Sequence, residues 1–261
     1  IITSLTNETI KAVRALHMRK ERDLTGTFLA EGLKFIGEAL DQGRAPRMLL
    51  VGEDARPHPL LDRAKAETRK AGGDIIIVTH AILEKISRRD NPQTVLGVFE
   101  QAYAPLDSLD PASAPCWVAL EQVRDPGNLG TIIRTADAAG CGGVILIGDC
   151  VDPYSVEAVR ATMGSVFAVS ITKTTPDAFL AWRKTWPGSV VGTRLDATVS
   201  HRSAMMQKPS LILMGNEQAG LTDQLAAACD VNVKIPMRGR ADSLNLAIAT
   251  GIMVYAATDE A

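Results

Sequence analysis

Cysteine and histidine are scarce, with four of each in 261 residues. The cysteines, Cys116, Cys141, Cys150 and Cys229, form no CxxC pair, and the histidines at 17, 58, 80 and 201 show no metal-ligand spacing. No metal site is therefore expected. The thiols read as free side chains, buried or partly buried, in a reducing compartment. No apolar run reaches the roughly 18–20 residues that a membrane span needs. The opening stretch lacks the charged-then-apolar order of a secretory signal, so a cytoplasmic location is the expectation. Ile1, not Met, stands first, which points to a trimmed start. Phosphate-cradling glycine signatures are also missing. There is no P-loop. The cluster Gly140-Cys141-Gly142-Gly143 follows a predicted helix and precedes a predicted strand. A Rossmann-type methyltransferase needs strand, glycine loop and helix in that order, so this cluster reads as a helix cap.

Charge of one sign is not in large excess: 28 Lys+Arg face 30 Asp+Glu, a net −2. This weak balance argues against a general polyanion binder, not against a selective one. The charge divides unevenly. Residues 1–103 carry 16 basic and 14 acidic side chains, and residues 104–261 carry 12 and 16. Basic character gathers in Lys11, Arg14, Arg19, Lys20 and Arg22. That cluster suits phosphate contacts, and it equally suits the solvated face of a helix.

Hydrophobic residues at 46% and charged residues at 22% are ordinary for a globular chain with a real core. The length allows one large domain or two modest ones. The segment from Glu8 to Arg22 predicts an amphipathic helix, with Ile10, Val13, Leu16 and Leu24 near helical spacing. Strands are expected within GTFLAE, RMLLVG, DIIIVT and TVLGVFE, with helices between them, giving a small α/β unit with a mainly parallel sheet. Residues 104–115, APLDSLDPASAP, have no hydrophobic period and read as a linker between domains at 1–103 and 116–261. The second half repeats the alternation with continuous Val/Ile/Leu strands, CWVALEQV, GVILIG, VFAVSIT, SVVGTRL, LILMGNE and VNVKIP. Such strands are buried on both faces of a parallel sheet. A long apolar helix, SLNLAIATGIMVYAA, closes the chain.

Three loops follow strands at their carboxyl ends: DPGNLGTIIR (125–134), MGNEQAGLT (214–222) and IPMRGRADSLN (235–245). Ligands of open α/β sheets gather at that edge. Any one of these loops is an ordinary turn or helix start. Together they place Asn128, Arg134, Glu217 and Asn245 on one side, which plain connectors do not need.

In order and spacing, NLGTIIRTADAAG, LILMGNEQAGLT and IPMRGRADSLNLAIATGI resemble the three motifs of the SpoU/TrmH family of SPOUT RNA methyltransferases. The likeness spans residues 116–257. It departs only where Leu-Ala-Ile-Ala follows Asn245, at positions that read as helix packing. The opening helix, GTFLAEGLKFIGEAL, and TVLGVF after Asn91-Pro92-Gln93 resemble the family's ribosomal-protein-like substrate-binding module. The resemblance implies a C-terminal α/β domain with a parallel sheet and a deep trefoil knot, preceded by a smaller α/β RNA-binding domain. It also implies a homodimer with active-site parts from both subunits. The implied reaction is methyl transfer from S-adenosylmethionine to a ribose 2′-hydroxyl of a structured RNA, with ribosomal RNA favoured over transfer RNA.

On this resemblance, Thr193, Gly215, Ile235, Met237 and Leu244 line the donor pocket. Arg134 is cast as the group that activates the 2′-hydroxyl. A guanidinium with a pKa above about 12 rarely gives up its proton, so the expected role is to position the ribose or phosphate and to stabilise developing alkoxide charge. Asn128 holds the loop and Arg134 in place. Glu217 fixes the knot loop or orients Arg134. Ser243 and Asn245 bracket the ribose and the donor's tail, with Ser243 as a plain helix N-cap the alternative. Lys11, Arg14, Lys20 and Arg160 are candidate RNA contacts. A non-catalytic RNA-binding protein and a base-methylating SPOUT enzyme are the rival readings, and the SLN and NxGxxxR strings favour ribose.

Overall fold

The structure, a computed structural model, describes residues 1–258. The first elements are α1 (Glu8–Ala15), α2 (Arg19–Thr25), β1 (Thr27–Glu31), α3 (Leu33–Asp41), β2 (Met48–Gly52), α4 (Pro59–Lys70), β3 (Asp74–Val78), α5 (His80–Ser87) and β4 (Val95–Glu100). The chain continues through β5 (Cys116–Glu121), α6 (Pro126–Ala138), β6 (Gly143–Ile147), α7 (Val156–Thr162), β7 (Ser170–Thr174), α8 (Pro176–Arg183) and β8 (Val190–Thr193). It ends with β9 (Val199–Ser200), β10 (Ser210–Met214), α9 (Asp223–Ala227), β11 (Val231–Lys234) and α10 (Leu246–Thr258). No helix among the described residues is long and apolar enough to cross a membrane.

The chain packs as two compact units, residues 1–101 with 152–168, and residues 102–151 with 169 onward. This partition differs from the expected boundary at residue 103. The expected linker, 104–115, is built into the second unit. Leu106 and Leu109 pack against that unit's core, Ala104 N–H donates to the Ile171 carbonyl at 2.9 Å, and Trp117 Nε1 donates to the Pro111 carbonyl at 3.3 Å. The expected domain end at residue 261 lies outside the described residues.

In the first unit the sheet order is β1-β4-β2-β3. Only β2 and β3 run parallel, so the expected mainly parallel sheet is corrected to a mixed one. After α5 the chain turns through 88–94 and β4 enters the sheet centre, antiparallel to both neighbours. The core comprises Ile10, Val13, Leu29, Leu50, Ile82 and Leu96 among others. Each fully buried aliphatic side chain contributes roughly 1.5–3 kcal/mol of transfer free energy.

The single opening helix is also corrected. It breaks at 16–18 into α1 and α2, and Leu24 is 75% exposed. The reason is Arg22. Its guanidinium is buried, pairs with Asp152 Oδ2 at 2.7 Å, and donates to the carbonyls of Leu16 and His17 at 2.8 and 3.0 Å. It thereby satisfies the carbonyls that the end of α1 leaves without partners.

The second unit holds a seven-stranded sheet, β7-β6-β5-β10-β8-β11-β9, with every pairing parallel. β5, β6 and β10 are buried along their whole length, as their continuous apolar sequences require. The expected strand VFAVSIT begins only at Ser170; residues 165–167 form a 3-10 turn within the first unit. The glycine cluster caps α6 as expected. Gly140 has φ +68°, and Cys141 N–H donates to the Ala136 carbonyl at 2.8 Å. A Cβ on Gly142 would lie 2.2 Å from the Trp117 ring.

Candidate active site

Parallel pairing brings the carboxyl ends of all seven strands to one edge. β5, β10, β8 and β11 are successive neighbours in the sheet. The loops after them, at 122–125, 194–196, 215–222 and 235–245, are therefore neighbours too. Sequence separation hides this, because β5 and β10 pair across almost a hundred residues.

Three of these loops, with the start of α10, enclose a cavity of about 300 Å³. All five residues expected to line a donor pocket are in its wall: Thr193, Gly215, Ile235, Met237 and Leu244. Ser243 and Glu217 are there as well. Gly215 is required by close backbone approach, since a Cβ there would sit 2.0 Å from the Gly220 carbonyl carbon and the Leu221 nitrogen. The 216–220 loop closes on itself. Asn216 N–H donates to the Gly220 carbonyl at 3.1 Å, Gly220 N–H returns the bond at 2.9 Å, and Asn216 Oδ1 accepts from the amides of Gln218 and Ala219. In the cavity wall, Thr193 Oγ1 is buried without a hydrogen-bond partner. Apolar walls, exposed loop backbone and an unpartnered hydroxyl suit an adenosine group, which offers a flat hydrophobic face with polar edges.

Glu217 ties the loops together. Its carboxylate accepts the backbone N–H of Asp125 at 3.0 Å, that of Arg124 at 3.1 Å, and Asn128 Nδ2 at 3.5 Å. Partial burial raises the Glu217 carboxyl, but these donors outweigh it and hold the group below the ordinary carboxylate range. Asn216 Nδ2 adds a bond to the Gln122 carbonyl at 2.8 Å. Asn128 Oδ1 accepts from Asn245 Nδ2 at 2.9 Å. Asn245 Oδ1 in turn accepts from the amides of Ala247 and Ile248, which makes Asn245 the N-cap of α10. The alternative reading of Ser243 as that cap is thus corrected; its hydroxyl is exposed and reaches only Asp242.

Arg134 stands apart from the cavity. It is exposed on α6 and has no hydrogen bond or ion pair among the described residues. Glu217 does not touch it, so the possibility that Glu217 orients Arg134 directly is not what one chain shows. The proposed RNA contacts differ in availability. Arg14 and Lys20 are exposed without partners among the described residues, whereas Lys11 pairs with Glu8 at 2.8 Å. Arg160 pairs with Glu31 at 2.9 Å and donates to the Ser87 carbonyl at 2.8 Å. Its guanidinium serves packing of α7 in the first unit. Arg22, counted in the basic cluster, is buried.

Sequence reasoning missed three features. Glu121 is buried and accepts both the N–H and the hydroxyl of Thr222 at 2.8 Å. A lone acid ending the apolar strand CWVALE was the available signal. Gln122 holds a left-handed backbone, φ +50°, at the turn out of β5. Arg194 joins Asp196 on its own loop, at 2.8 Å, to Asp223 at the start of α9, at 2.7 Å. These ion pairs hold its guanidinium above its ordinary range.

Comparison with known proteins identifies the family of each part of the chain. Residues 115–255 match the SpoU rRNA methylase family, and residues 7–97 match the MRM3-like substrate binding domain. The chain is 31% identical to a 23S rRNA (guanosine(2553)-2′-O)-methyltransferase of Bacillus subtilis, over 97% of both chains. It superposes with TM-score 0.92 and 49% identity on an AdoMet-bound rRNA methyltransferase of Sinorhizobium meliloti, covering 98% of this chain and 96% of that one. The SpoU methyltransferase AviRb of Streptomyces viridochromogenes, solved with AdoMet, gives TM-score 0.86 at 30% identity, covering 97% of each.

Proposed function

The chain belongs to the SpoU rRNA methylase family and is an S-adenosylmethionine-dependent RNA 2′-O-methyltransferase, and we propose that the 300 Å³ cavity of its second unit holds the methyl donor. The observation that carries the assignment is the convergence of Thr193, Gly215, Ile235, Met237 and Leu244 on that one cavity. Bound there, S-adenosylmethionine supplies an electrophilic methyl on a sulfonium. Ile235, Met237 and Leu244 would wall the adenine, Thr193 Oγ1 would donate to a polar edge, and the 215–220 backbone would hold the sugar. Ser243 faces the donor's tail. The substrate is ribosomal RNA, as it is by name for the Bacillus and Streptomyces relatives.

The chemistry needs a ribose hydroxyl held in line with the methyl and its proton managed. Asn128, Glu217 and Asn245 form a rigid hydrogen-bonded frame at the base of α6. That frame fixes the helix from which Arg134 projects. Arg134 positions the ribose or its phosphate and stabilises the developing alkoxide.

Arg134 lies outside the cavity of its own chain, which fits a homodimer in which each copy supplies this guanidinium to its partner's donor cavity. α6 packs on α10, and α10 is apolar all round. Ile248 and Tyr255 stay 56% and 48% exposed along one stripe of it, a surface suited to a second copy. A knotted path of the 215–245 chain belongs to the same reading, as does work in the cytoplasm, supported by the four free thiols and by the ribosomal substrate.

Transfer of labelled methyl to unmodified 23S ribosomal RNA by Arg134→Ala and Arg134→Lys tests the catalytic assignment. A fall of at least 10²-fold in turnover at saturating donor is expected for Ala. Near-normal turnover in both variants removes Arg134 from the mechanism.

A further inference from the structure

Ile235 lines a second cavity besides the one assigned to the donor, with a volume of about 410 Å³. Its other walls are Ser200, His201, Arg202, Pro236, Arg238 and Ile252, with no carboxylate among them. Arg202 and Arg238 are exposed, and neither guanidinium has a hydrogen bond or ion pair among the described residues. His201 is 6% exposed, and its Nδ1 is buried with no partner.

Several arginines elsewhere are neutralised. Arg47, Arg63, Arg124, Arg183 and Arg194 are each paired with a carboxylate. The second half of the chain is acidic, with 12 basic against 16 acidic side chains in residues 104–261. Arg202 and Arg238 line one concavity whose wall holds no carboxylate, which leaves a site whose missing member is an anion. The planar fork of arginine matches a phosphate in two-point contact.

We propose that this cavity holds a backbone phosphate of the substrate RNA, next to the nucleotide whose ribose meets the donor. The inference rests on the donor-cavity reading, because the shared Ile235 wall is what sets the phosphate close to the reacting sugar. Arg202 and Arg238 clamp the phosphate oxygens, and His201 belongs to the same wall. Pro236, between Ile235 and Met237 of the donor pocket, links the two cavities through one short stretch of backbone. The subsite thus sets the register of the strand while the donor pocket remains independent of it.

The test uses full-length protein and in vitro-transcribed, unmodified 23S ribosomal RNA. Affinity is measured across a salt series for wild type, for Arg202→Gln with Arg238→Gln, and for Arg202→Lys with Arg238→Lys. Donor binding is followed by calorimetry and oligomeric state by sedimentation. The Gln pair is expected to weaken RNA binding about tenfold and to flatten the log–log salt slope by about 0.7 per arginine. Donor affinity stays near wild type, and the Lys pair recovers most of the slope. Unchanged RNA affinity and slope, with donor binding intact, overturn the phosphate site alone. A Gln pair that dissociates the protein, with RNA affinity falling only in step with dissociation, assigns the arginines to a second copy and overturns it too. Donor binding that survives Leu244→Arg undiminished overturns the donor-cavity reading and the phosphate site with it.

Discussion

The side-chain amide of Asn245 donates to Asn128 Oδ1 at 2.9 Å, joining the third of the strand-end loops to the first across 117 positions. Asn245 also caps α10 through its Oδ1. One residue thus carries a structural duty and a site duty on different atoms, and substitution separates them. Asn245→Ala loses both. It is expected to cost about 1 kcal/mol of stability, a fall of about 2–4 °C in the melting temperature of the second unit. Asn245→Asp keeps the cap acceptor but not the amide donor. Its melting temperature is expected to stay near wild type while methyl transfer drops at least tenfold. Thermal melts and single-turnover assays on the two variants check the split.

Glu217 gives the site a defined response to acid. Its folded carboxyl titrates below the ordinary range, because backbone and Asn128 donors prefer the charged form. The stability it contributes is present above the unfolded value, roughly pH 4.3, and is lost as pH falls through the lower folded value. Glu217→Gln presents an amide to backbone N–H groups that need an acceptor. The expected loss at pH 7 is on the order of 1–2 kcal/mol, after discounting for partial exposure. The gap between wild type and variant should narrow as pH falls below the unfolded value, which denaturant titrations at pH 7 and pH 3.5 measure.

Much of this architecture was legible. Continuous Val/Ile/Leu strands declared the buried parallel sheet of the second unit, and three loops at strand ends located the site. What escaped depends on contacts between distant residues. Arg22 reads as one more cation of an amphipathic helix, yet it is buried against Asp152, 130 positions on. Arg160 reads as a phosphate contact, yet Glu31, 129 positions earlier, neutralises it. The direction of β4 is set by which strands it enters between, and its apolar pattern is the same either way. Arg134 shows a further limit. Its motif is plain in the sequence, but the side chain does not line the cavity of its own chain.

Arg194 and Asp196 line the cavity proposed for the donor, and Arg194 also pairs with Asp223 at the start of α9. Exposed ion pairs add little to global stability and are screened by salt, so their effect should appear in ligand release. Arg194→Met is expected to weaken donor affinity by about three- to tenfold through faster dissociation, with turnover at saturating donor unchanged. Wild-type affinity should decline between about 0.05 and 0.5 M salt, and the variant should be nearly insensitive. Stopped-flow dissociation rates across that series check this.

Calorimetric titration of S-adenosylmethionine into wild type and Leu244→Arg tests the donor cavity most directly. Leu244 is 39% exposed, so an arginine there can be accommodated by the fold while its stem fills the cavity. One donor bound per wild-type chain, with at least hundredfold weaker binding by a folded Leu244→Arg, is the predicted result. Equal affinity in the two proteins would contradict it.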